Sequence, residues 1–100
     1  MSAIALPAHL GGDQAAALLP QLRQQIDAQA GAAVVLDAAA VERFDSATLA
    51  LLLECRRHVQ AGQRMLQLQN LPAGLQSMAH VYGVDGLLGL PSSQAADELA

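Results

Sequence analysis

Aromatic residues are almost missing from this sequence of 100: no tryptophan, one tyrosine (Tyr82) and one phenylalanine (Phe44), 2% in all. Without them there is little to stack on nucleic-acid bases, and a core has to be built from Leu, Val and Ala, side chains that suit short strands under small helices. Positive charge is scarce too. Five Lys and Arg stand against nine Asp and Glu, a net charge of -4, so the excess that attracts phosphate backbones or anionic lipid is lacking and no nucleic-acid partner is expected.

Cysteine occurs once, as Cys55, which excludes an internal disulfide and leads us to expect a cytoplasmic protein. Long apolar runs are absent as well. The richest, Ala47 to Leu53, is broken by Glu54, Arg56 and Arg57 and falls well short of the roughly 18–20 residues that cross a bilayer, so no direct membrane span is expected. The start, MSAIALPAHLGGD, has no basic region and only the short apolar run Ala3 to Leu6 before Pro7, unlike a signal peptide. A single domain, 1–100, is expected; a chain this short buries only about 60–65% of its unfolded surface, too little for a deep enclosed active site.

Motifs for metals and cofactors are lacking. His9, His58 and His80 fall on different elements with no i,i+4 partner and no Cys-x-x-Cys, so neither metal nor cofactor is expected. Gly11-Gly12 lacks the later Gly and Lys of a phosphate loop. Cys55 shares a helical face with Leu52 and Val59, where a thiol acts as a small buried hydrophobe.

What the chain does have is 53% hydrophobic residues in a regular order. Ala3 to Leu6 reads as a strand, and Gly11-Gly12-Asp13 as a turn whose aspartate caps a helix. Leu18, Leu19, Leu22 and Ile26 carry that helix to about Gly31, with Pro20 predicting a kink or a later start. Ala33 to Leu36 is a continuous apolar run, the pattern of a central strand, ending at Asp37. Ser46 to about Ala61 reads as a helix stopped by Gly62, its late Arg56, Arg57 and His58 suiting the helix dipole. Met65 to Gln69 is a strand with Leu66 and Leu68 on a buried face and Gln67 and Gln69 on a wet one. Pro72 opens a helix with the stripe Leu71, Leu75, Met78, Ala79 and Tyr82, ended by Gly83. A short strand, Leu87 to Leu90, and a terminal helix from Pro91-Ser92-Ser93 are expected to follow. The alternation predicts an α/β fold: a single, mostly parallel sheet with interleaved helices and right-handed crossovers.

The stretch RFDSATLALLLE, Arg43 to Glu54, raises the question of chemistry at Ser46. His58 lies twelve positions along the same helix, roughly 18 Å of rise away, and cannot be its base. His80 is on another element, and no G-x-S-x-G elbow surrounds the serine, so catalysis is not expected. Ser46 can instead be the N-cap, worth about 1 kcal/mol; Asp45 competes for that role, with Thr48 as its third helical residue. Either way the hydroxyl stands at a helix mouth that favours negative charge, next to an aspartate that repels it, a place suited to docking or modification.

The order strand, LDAAAVERFDSATLALLLE, strand, helix resembles the STAS domain, a small α/β module of anti-sigma-factor antagonists and sulfate-transporter tails. Asp37, Asp45, Ser46 and Leu49 match the family's strand-ending Asp and its Asp-Ser/Thr-x-Gly-Leu helix start. Tyr82-Gly83-Val84-Asp85 to Leu90-Pro91-Ser92 looks like its Gly-hydrophobic-Asp ending. The resemblance covers nearly the whole chain. LALLL, Leu49 to Leu53, followed by LQLQNLPAGLQSMAHVYGVDGLL, is similar to the branch of accessory subunits of the ABC transporter that maintains outer-membrane lipid asymmetry.

This resemblance implies a STAS fold and a non-enzymatic cytoplasmic subunit, peripheral to the inner membrane, that docks on the transporter's ATPase and through it on the membrane permease. As partner-binding or phosphorylation positions it implies Ser46, Asp45, Thr48, Ala47, Arg43 and Asp37. The alternative it implies is an anti-sigma-factor antagonist whose hydroxyl at Ser46 is phosphorylated by a partner kinase, switching binding off. Two departures stand out. Thr48 takes the place of the usual Gly, adding a β-branched side chain in the first turn that alters a partner's approach. The first strand also lies so near the start that the family's N-terminal strand is expected to be missing, leaving one sheet edge unprotected.

Overall fold

A computed structural model gives the fold and describes residues 3–88. Three strands, β1 (Ile4–Ala5), β2 (Ala33–Asp37) and β3 (Met65–Gln69), alternate with three helices, α1 (Gly12–Ala28), α2 (Ser46–Ala61) and α3 (Ala73–Val81). The sheet is parallel throughout, in the order β1-β2-β3, so the two-residue β1 and the polar β3 form its edges and the apolar β2 its centre.

Register sorts the side chains onto two faces. Ile4 pairs with Leu36 and Leu36 with Leu68, while Val34 pairs with Leu66, which puts the aliphatic residues together on one side. There they join Leu22 and Ile26 of α1 and Leu52, Cys55 and Val59 of α2 in one core. Each leucine fully removed from water contributes about 1.5–3 kcal/mol. On the opposite face Met65, Gln67 and Gln69 of β3 are exposed, as their alternation predicts, and Val35 is buried apart from the main cluster.

Several boundaries differ from the sequence expectations. Pro20 does not displace the start of α1; it lies exposed within the helix, where it has no N–H to offer the preceding turn. The helix stops at Ala28, short of Gly31, and Arg64, just before β3, reaches back to one carbonyl of its last turn and two beyond its end. The guanidinium donates to Ile26 O at 3.0 Å, Gln29 O at 2.7 Å and Gly31 O at 2.8 Å. At the end of α2, Gly62 is the C-cap, but the left-handed position belongs to Gln63, with φ 60°.

Pro72 precedes α3 as its N-cap rather than standing in its first turn. Leu71, Leu75 and Ala79 are buried, whereas Tyr82 is 60% exposed, because the helix ends at Val81 and Gly83, at φ 74°, turns the chain away. Leu87 and Leu88 form a turn closed by the Leu88 N–H on Val84 O at 3.1 Å, not the start of a strand; the rest of that expected strand and the helix from Pro91 lie outside the described residues. No helix among the described residues is long and apolar enough to cross a membrane.

Candidate functional site

The loops that lead into α1 and α2 run side by side. The Leu6 N–H donates to Asp37 O at 2.9 Å, the Glu42 and Arg43 N–H groups to Ala8 O at 2.8 and 2.9 Å, and the Leu10 N–H to Arg43 O at 2.8 Å. A lone parallel bridge joins His9 and Arg43. Because the two loops are paired to their ends, the chain delivers Gly12 and Asp45, and with them both helix N-termini, to one place.

Asp45, not Ser46, caps α2. Its Oδ1 accepts the Ala47 N–H at 2.9 Å, and its own N–H donates to Thr48 Oγ at 3.0 Å, a capping box. The same carboxylate accepts the Gly12 N–H, at 3.0 Å through Oδ2 and 3.2 Å through Oδ1. Asp13, expected as the cap of α1, stands instead in its first turn; the N-cap is Gly11, which has no side chain to offer. One carboxylate thus serves two helix starts, where unpaired amides and aligned peptide dipoles favour negative charge.

The Gly11-Gly12 doublet is what allows this. A Cβ on Gly11 would stand 2.9 Å from Asp45 Oδ2, and Gly12 takes φ +56°, where side chains are strained. The sequence left Ser46 and Asp45 as competing caps, and the second partner of Asp45, Gly12, is 33 positions away.

Around this clasp the expected site residues separate. Ser46 is the first residue of α2, exposed, and its hydroxyl has no hydrogen-bond partner among the described residues. Arg43 is also exposed and Ala47 half-buried. Thr48 is fully buried, its hydroxyl donating to Leu10 O at 2.8 Å, so it adds no bulk to the surface. Asp37 belongs to a different tie: its Oδ1 accepts the Ala39 N–H at 2.9 Å and the Asn70 amide at 3.0 Å, joining the ends of β2 and β3. Those two donors, Asn70 foremost, hold its carboxyl below the usual range.

Behind Ser46 a groove of about 180 Å³ runs between α1 and α2, floored by Ala15, Ala16 and Leu19 on one side and Ala47, Ala50 and Leu51 on the other. Glu54 lines its far end, paired with Arg57 at 3.0 Å and Arg23 at 3.7 Å. The small residues here were visible in the sequence, but not that they face one another.

Two of the three histidines are engaged elsewhere. His58 Nε2 meets Asp27 Oδ1 at 2.8 Å, and His80 Nδ1 meets Asp85 Oδ2 at 3.0 Å, a hydrogen bond that keeps the Asp85 carboxyl low. No cluster of His, Cys, Asp and Glu among the described residues is arranged to hold a metal ion. Burial pushes the Cys55 thiol up to about 11.

Residues 2–89 match the protein family described as "Mlab, STAS domain". No curated protein matches the sequence. The match spans the sheet, all three helices and the Asp45-Ser46 helix start, and the parallel α/β architecture agrees with it: the chain belongs to the STAS family, in its MlaB-type branch.

Proposed function

We propose that this chain is a non-enzymatic subunit that docks on the ATPase of an ABC transporter for phospholipid transport between bacterial membranes and supports that transporter's assembly and activity. On this reading it works in the cytoplasm and meets the inner membrane only through its partner. Supporting it, besides membership of the MlaB-type branch, is one observation: Ser46 stands exposed and unbonded at the start of α2, beside an apolar groove, while Asp45 and Thr48 turn their polar atoms inward. Such a surface has a polar tip and an apolar flank, the mixture that protein partners use. The test is co-purification with the ATPase of the same organism. Wild type is expected to be retained and a Ser46→Arg protein lost; equal retention of both, or of neither, overturns the proposal.

A second function is favoured by the same free hydroxyl. Ser46 is open to a kinase, as an anti-sigma-factor antagonist would require, although the Ala47 and Thr48 amides beside it are already bonded to Asp45, whose carboxylate opposes added negative charge. Mass spectrometry of protein from native cells distinguishes the two: stoichiometric phosphate on Ser46 supports the antagonist, and its absence through stress and starvation counts against it.

A further inference from the structure

We infer that Asp45 is a positioning residue for the docking surface: its carboxylate fastens the start of α1 to the start of α2, so that a partner meeting Ser46 engages both helices as one surface. This rests on the proposal that the first turn of α2 docks on the ATPase. Although Asp45 is exposed, its acceptors are committed inward, to Ala47 N–H at 2.9 Å and to Gly12 N–H at 3.0 Å. Its effect on a partner therefore passes through the helix it holds.

Two neighbours reinforce the tie. Thr48 bonds the Leu10 carbonyl at 2.8 Å, so the residues before and after Gly11 are both held by the first turn of α2. Gly11 leaves the carboxylate its space, since a Cβ there would come to 2.9 Å of Oδ2, closer than real Cβ atoms approach. Beyond the clasp the helices leave the groove of about 180 Å³ that begins at Gly12 and Ala47. The clasp thus fixes where α1 stands relative to Ser46 and how wide the groove opens.

Asp45→Asn keeps the cap of α2 and weakens the tie to Gly12. Asparagine is as good an N-cap as aspartate, so its oxygen still accepts the Ala47 N–H and keeps the longer 3.2 Å approach of the Gly12 N–H, but its NH₂ replaces Oδ2 and sets a donor where the 3.0 Å bond from Gly12 was. Gly11→Ala attacks the same tie from the other side: its φ of −106° and ψ of 172° suit alanine, and only the Cβ contact with the carboxylate is new. The experiment measures hydrogen exchange in the isolated chain, and calorimetric affinity for the ATPase at a temperature where circular dichroism shows each variant folded.

Both variants are expected to speed exchange at Gly12 to Leu19, to leave the first turn of α2 protected, and to weaken binding about five- to thirtyfold. A variant that loosens α1 without changing the affinity overturns the inference, as does one that leaves α1 exchange unchanged. Ser46→Arg in the same assay keeps the two ideas apart. If it binds like wild type the docking proposal itself fails; if it abolishes binding while Asp45→Asn and Gly11→Ala bind normally, docking stands and the positioning role falls.

Discussion

The Thr48 hydroxyl donates to the carbonyl of Leu10 at 2.8 Å while accepting the N–H of Asp45 at 3.0 Å, joining segments 38 positions apart in the chain. Thr48 is at 0% exposure and its bond to the Leu10 carbonyl is buried, with no water as a substitute, whereas the bond from the Asp45 N–H is part-buried. Thr48→Val keeps the shape but leaves the buried Leu10 carbonyl unsatisfied, at roughly 1–3 kcal/mol, and removes the part-buried bond from the Asp45 N–H, at roughly 0.5–1.5 kcal/mol, so it is expected to cost about 2–4 kcal/mol. Thr48→Ser, which retains the hydroxyl, is expected to lose about 1 kcal/mol or less from the missing methyl. Equilibrium urea unfolding measures both.

Asp45 and Ser46 are adjacent but should behave unlike each other. Asp45→Ala removes the cap of α2 and the bond to Gly12, an expected loss of about 2–3 kcal/mol from two contributions of the usual size. Ser46→Ala removes an exposed, unbonded hydroxyl and is expected to stay within about 0.5 kcal/mol of wild type. A loss of about 1 kcal/mol at Ser46 would mean that the serine shares the cap.

Leu52 and Leu53 test the phase of α2. Leu52 is fully buried, and its truncation to alanine is expected to cost about 2–5 kcal/mol. Leu53 is only half-buried, so the same change there is expected to cost less than half as much. Urea midpoints at constant slope would show the difference.

Cys55 should be inert in the folded protein. Its thiol is buried beside Leu52 and Val59 and titrates at about 11, so almost no thiolate exists at pH 8. Labelling by an aromatic disulfide reagent at pH 8 is expected to be slow in buffer and fast in denaturing urea. Comparable rates in both would show that the α2 face opens readily.

Acid should weaken the tie at the ends of β2 and β3. The Asp37 carboxyl titrates below its ordinary value of 3.8 because Asn70 and the Ala39 N–H bond its ionised form. Its contribution is therefore complete above 3.8 and is lost as the pH falls from there through the folded value. Asn70 sits at φ 58°, so Asn70→Gly removes the amide without straining the backbone. Wild type is expected to lose more stability than this variant between pH 5 and pH 3, measured by urea midpoints; parallel losses would remove Asn70 as the cause.

Much of the fold was legible because its signals are local. The run Ala33 to Leu36 and the alternation of Met65 to Gln69 place the strands, and Leu52, Cys55 and Val59 place one helical face. The errors came where a distant group overrides a local one. Asp13 carries a capping side chain, yet the start of α1 is served by Asp45; Gly31 marks a stop, yet α1 ends at Ala28, where Arg64 bonds the Ile26 carbonyl. Tyr82 fits the helical spacing, but the chain leaves the helix before it can be buried.

By itself the sequence determined the alternation of strands and helices, the parallel sheet, the family pattern around Asp45 and Ser46, and the face of α2 that is buried. Those follow from hydrophobic periodicity and short-range hydrogen bonding, both written within a few residues. Only the tertiary structure decided what each polar residue of the site does. It paired two loops and brought Gly12 to Asp45, turned Thr48 inward to Leu10, and left Ser46 free. A carboxylate takes the nearest unsatisfied amides in space, and folding, not spacing along the chain, sets which those are.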